Sequence, residues 1–139
     1  MPALPVPDLH SRQLAYVALR LALGLNMALH GATRLPDLDG FAGGLVEGFA
    51  GTVLPGGLVY AFAVVLPFVE GLIGVLLLLG LWMRPALMLG VGVMLSLIFG
   101  TGLQQNWGTI ATQMQYVVYF ALLLAFLPYN RFALDTRRR

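Results

Sequence analysis

Apolar residues fall in four long runs, each interrupted by few polar positions. A helix crossing a bilayer takes about 20 mostly apolar residues. The runs over residues 13–34, 58–83, 86–103 and 109–127 approach or exceed that length, so the pattern predicts four membrane helices. Only Arg84-Pro85 separates the second run from the third, which should return antiparallel beside it. Residues 1–11 carry Pro2, Pro5 and Pro7 and read as a disordered tail. Within residues 35–57, Leu38, Phe41, Leu45, Phe49 and Val53 recur at helical spacing. They predict a short amphipathic helix in the first outer loop, at the membrane interface or capping the bundle. The expected architecture is all-α: one integral membrane four-helix bundle, a single domain over residues 1–139.

Composition sharpens this picture. The chain is 59% hydrophobic and only 10% charged, against about 25% charged in soluble domains. Its eight cations are all arginines, and the formal charge is +2. They sit mostly at the ends of apolar runs and form no basic face, which argues against nucleic-acid binding. The absence of cysteine excludes disulfides, thiolate metal sites, iron–sulfur ligation by this chain and thiol nucleophiles. Arg12, Arg84, Arg131, Arg137, Arg138 and Arg139 flank one side of the four crossings. Arg34 alone flanks the other, beside Asp37, Asp39 and Glu47. By the positive-inside rule both termini are cytoplasmic, in a multi-pass membrane protein. The first run follows a weakly charged start and contains Arg20 and Asn26, so it reads as a retained helix and not a signal peptide.

The polar residues inside the runs carry the candidate chemistry. Glu70 stands within the second run, where a carboxylate is costly and should face protein or water with a partner. Helical rise places Arg20 about 9 Å nearer the cytoplasm, within reach of an extended side chain. A buried Arg20–Glu70 pair is therefore expected, against the alternative that Arg20 snorkels to the interface. Pro67 should kink the helix one turn before Glu70, and Gly71 and Gly74 loosen it or admit a neighbour. Gly92, Ser96 and Gly100, four residues apart, form a small-residue packing face.

Asn26, His30, Gln104, Gln113 and Tyr116 fall near the outer end of the bundle. Such a layer can hydrogen-bond the carbonyls of a quinone head group while the runs supply an apolar slot. The same residues can equally be structural glue, worth about 0.6–2 kcal/mol each. No covalent cofactor, metal cluster, phosphate loop or nucleophile–base pair is marked by motif.

Three stretches resemble the DoxX family of small bacterial and archaeal membrane proteins. They are RLALGLNMALHGATRL over residues 20–35, EGLIGVLLLLGLWMR over residues 70–84 and NRFALD over residues 130–135. Arg20, Glu70, Arg84 and Asp135 stand at matching motif positions. The resemblance implies a four-helix membrane bundle of a bacterial or archaeal cytoplasmic (inner) membrane. It also implies a subunit of a respiratory or redox complex, accompanied by other membrane subunits.

Three functional readings stay open. One is an accessory subunit of an oxidoreductase complex touching quinone. Another is a structural or assembly subunit without a ligand. The third is a small oligomeric transporter or channel using Glu70. Whether the chain is an enzyme is undecided at this level, with an accessory subunit favoured over a stand-alone catalyst.

Overall fold

The computed structural model describes residues 8–137, and the side chains of Thr136 and Arg137 lie outside that description. The tail expected over residues 1–11 falls outside the described residues as far as Pro7, as do Arg138 and Arg139 of the orientation argument. Among the described residues every regular element is helical. In chain order these are α1 (Leu9–Arg34), α2 (Leu38–Gly48), α3 (Gly56–Leu79), α4 (Met83–Leu103) and α5 (Trp107–Ala125). Four stretches are long and apolar enough to cross a membrane. The first, Leu9–Gly48, continues from α1 through a 3₁₀ turn into α2; α3, α4 and α5 are the others.

Local chemistry sets the ends. α1 begins at Leu9, four residues before the apolar run, because Asp8 caps it: the Ser11 N–H donates to Asp8 Oδ1 at 2.7 Å. Hydrogen bonds from Ser11 also hold the Asp8 carboxyl below its ordinary pKa. Asp37 caps α2 by accepting from Gly40 N at 3.1 Å, and Asn106 caps α5 by accepting from Thr109 N at 3.2 Å. α3 stops at Gly80, whose φ of +64° is the left-handed conformation glycine tolerates. The turn between α3 and α4 thus falls earlier than Arg84-Pro85. Pro85 sits in the first turn of α4, where its missing N–H costs nothing.

α1 packs most extensively on α3, and α4 on α5. Glycines set the first seam. A methyl group added at Gly31 would stand 2.6 Å from the Gly71 nitrogen, and one at Gly74 would stand 2.6 Å from Ala28 Cα. Gly24 faces Leu78 in the same seam. In the second seam the Phe120 ring fills the space that a side chain at Gly90 would need. Tyr16, Leu23, Met27, Ile73, Leu77, Leu87, Met94, Phe120 and Leu123 join in one core between the two pairs.

The small-residue face expected at Gly92, Ser96 and Gly100 meets no membrane helix of this chain. Gly92 meets open space, and the Ser96 hydroxyl donates to Gly92 O of its own helix at 3.0 Å. Gly100 is approached by Phe49 and not by a membrane helix. Spacing alone identifies small residues; the partner helix decides which of them lie at a seam.

Gly31→Ala is expected to melt at lower temperature than the parent, with an overpacking cost of about 1–3 kcal/mol. Gly92→Ala is expected to hold or raise it, since alanine favours helix and the space is open. Thermal unfolding of both proteins in one detergent checks the pair. Unchanged melting of Gly31→Ala would remove the close approach.

Candidate functional site

Two polar layers and a side cavity hold the residues able to do chemistry. At the layer beside the α3–α4 turn, inner in the expected topology, Arg20 is 3% exposed and donates from one terminal nitrogen to Asn130 Oδ1 at 2.7 Å. It lies against Gly80, where a side chain would collide with it. The segment after α5 closes this layer. Asp135 N donates to Gly80 O at 3.2 Å, and Asp135 Oδ2 accepts from Met83 N at 3.1 Å. Asp135 thereby satisfies a first-turn N–H of α4, with a negative charge at the positive end of the helix dipole. Arg12 donates to the Tyr129 hydroxyl at 2.9 Å, and Tyr16 donates to Leu123 O at 3.1 Å.

The second layer centres on Glu70, 2% exposed and paired with Arg34. The other terminal nitrogen of Arg34 lies 3.3 Å from His30 Nδ1, and its guanidinium sits 4.7 Å from the Phe41 ring centre. His30 meets Tyr116 edge to face at 6.5 Å. Tyr116 in turn donates to Asn26 Oδ1 at 2.9 Å. Two polar groups, Glu70–Arg34–His30 and Tyr116–Asn26, therefore meet through the His30–Tyr116 ring contact and form one polar chain across α3, α1 and α5.

The expected Arg20–Glu70 pair is corrected by register. Gly31 lies against Gly71, Gly24 against Leu78, and Arg20 against Gly80. Gly80 is ten residues past Glu70, about 15 Å along a helix. No arginine side chain closes that gap, whereas Arg34 lies one turn from Gly31 and folds back onto Glu70. Depth counted separately along each apolar run leaves out the offset between α1 and α3, which the glycine contacts set. The Arg34-to-Glu70 link was missed, although an arginine at the end of one helix and a carboxylate in the next was a visible signal.

The five residues proposed for one outer pocket separate into two groups. Asn26, His30 and Tyr116 belong to the polar chain. Gln104 and Gln113 line a cavity of about 660 Å³ bounded by the end of α2, the outer half of α3, α4 and the start of α5. Gln113 Nε2 donates to Thr101 Oγ1 at 2.9 Å, and Gln104 Nε2 donates to Gly48 O at 2.9 Å. Gln113 Oε1 is buried without a partner. The rest of the wall is mainly apolar, with Ser96, Asn106 and Thr109 as its other polar members, and exposed Leu58, Phe62, Leu95 and Phe99 open it sideways. Among the described residues no group of three or more acidic or histidine side chains could hold a metal ion.

A family model described as methylamine utilisation protein MauE matches residues 12–113, well over half of the 139-residue chain. The chain belongs to that family. No curated protein and no solved structure matches it. The MauE match overturns the resemblance to DoxX. Two of the strings behind that resemblance hold the seam glycines Gly24, Gly31, Gly71 and Gly74. Arg20, Arg34, Glu70 and Gln113 fall within the stretch matched by MauE; Tyr116, Asn130 and Asp135 lie beyond it.

Arg34→Met should strand the Glu70 carboxylate and cost about 3–5 kcal/mol of stability. A double-mutant cycle between Arg34 and Glu70 is expected to show coupling of about 0.5–3 kcal/mol, and one between Arg20 and Glu70 to fall within about 0.5 kcal/mol of zero. Denaturation of the variants in a common detergent measures both. Strong Arg20 coupling would restore the original pairing.

Proposed function

We propose that this MauE-family chain is an accessory membrane component serving methylamine utilisation, and that its lateral cavity holds the head of a quinone or quinol. It would sit in the cytoplasmic membrane with both termini inside and α2 at the outer interface, beside partner subunits. The observation that carries the ligand reading is the unpaired Gln113 Oε1 beside an apolar cavity of about 660 Å³. A buried amide oxygen without a partner costs about 1–3 kcal/mol, and a ligand hydroxyl would recover that.

The chemistry suits both redox forms. A quinol hydroxyl donates to Gln113 Oε1. The Thr101 hydroxyl both donates and accepts, so the Gln113 amide can turn and offer its N–H to a quinone carbonyl while Thr101 reverses its bond. Leu58, Phe62 and Phe99 would flank an isoprenoid-like tail entering from the bilayer. Asn26, His30 and Tyr116 act in this reading as supports that fix α1 against α5.

A second reading, an assembly subunit without a ligand, has its own observation. On α5, Met114, Val118, Leu122 and Phe126 form an exposed apolar stripe that another subunit could cover. Transport through Glu70 is disfavoured, since its carboxylate is buried and already paired with Arg34.

Titration of the purified protein with a short-chain ubiquinol analogue should give saturable binding, about two- to tenfold weaker in Gln113→Leu, the worth of one hydrogen bond. Binding unchanged in that variant would remove the cavity assignment. Loss of growth on methylamine after deletion of the gene, restored by the intact copy, is the expected outcome for the pathway assignment. Unimpaired growth would remove it.

A further inference from the structure

The inner layer contains a buried positive charge whose hydrogen-bond partner is neutral. Arg20 is 3% exposed, and its partner is the Asn130 amide oxygen. Its Nε has no partner at all. Among the described residues the only ion pair is Arg34–Glu70. A guanidinium carries five N–H donors, and a buried charge without a counter-charge costs several kcal/mol. The C-terminal end of α3 lies beside it and supplies at most about half a unit of negative charge.

Arg20 also lines a cavity of about 500 Å³, together with Leu78, Leu79, Arg131, Phe132 and Leu134. Two arginines thus line one space whose other walls are apolar, and among the described residues no acidic one lines it. Exposed Leu79, Phe132 and Leu134 carry the apolar wall outward. The depth is that of a lipid head group. α3 has 24 residues, about 36 Å of helix, enough for its end at Leu79 to reach the interface. Exposed Trp82 and then Arg84 follow, as interfacial residues do.

We infer that the Arg20–Arg131 cavity binds the phosphate of an anionic membrane lipid, with the acyl chains lying along Leu78, Leu79 and Phe132. A phosphate oxygen can take the Arg20 Nε–H together with a terminal N–H as a two-point bond, which suits guanidinium better than any point cation. Gly80 has a second function here: with no side chain, it leaves room for Arg20 at the end of α3. The assignment is independent of the quinone reading, since the two cavities share no residue.

Native mass spectrometry of the detergent-purified protein tests it, using added phosphatidylglycerol, phosphatidylcholine or inorganic phosphate. The parent should retain phosphatidylglycerol in preference to phosphatidylcholine and gain thermal stability from it. Arg131→Gln, at an exposed position, should weaken retention about fivefold. Arg20→Gln should abolish the preference. Arg84→Gln, whose side chain is not part of this cavity, should leave it unchanged. If Arg20→Gln does not fold, Arg131→Gln against Arg84→Gln still decides. Equal retention of the two lipids, or equal losses in Arg131→Gln and Arg84→Gln, would overturn the site. The same stabilisation by inorganic phosphate alone would overturn its assignment to lipid.

Discussion

The backbone contact between α1 and α3 governs the rest of the structure. In a bilayer the hydrophobic effect does not drive helices together, so close packing and polar links must. Gly31 against Gly71, and Gly74 against Ala28, bring two main chains to a distance no side chain would permit. That contact fixes the register, and the register decides which charge meets which. It places Arg34 over Glu70 and Arg20 over Gly80, so the two arginines of one helix have different tasks. One neutralises a carboxylate. The other keeps its charge beside a neutral amide.

Polar groups in this chain are tied into lines that cross helices. The line from Glu70 through Arg34, His30 and Tyr116 to Asn26 links α3, α1 and α5. α5 has few buried residues of its own, Phe120 and Leu123 being the main ones. The Tyr116 hydroxyl therefore matters for keeping α5 in place. The unpaired Gln113 oxygen lies outside this line and at the wall of an apolar cavity. That contrast is why the cavity, and not the His30 cluster, carries the ligand reading.

Much of the fold could be read from residue pattern. Four apolar runs announced four membrane helices, and polar breaks located their connections within a few residues. Helix ends were less legible, because Asp8 extends α1 through a cap and Gly80 ends α3 through a backbone conformation. Contacts between distant segments were least legible. Arg20 with Asn130, Asp135 with Met83, and Arg34 with Glu70 all depend on a register that no local pattern encodes. Family strings misled in a related way: the DoxX resemblance rested on short strings of glycines and single charges, whereas the MauE family model matches residues 12–113.

The cap on α4 has a consequence for the order of biosynthesis. Met83 obtains its acceptor from Asp135, and Arg20 its acceptor from Asn130. Both acceptors leave the ribosome after the fourth crossing has been made. α1 and α3 can find each other early through their glycine seam, but the inner ends of α3 and α4 must wait for a segment translated about fifty residues later. Until then the turn at Gly80 stands open. The nascent protein thus passes through a stage with all four crossings inserted and its inner face unlatched.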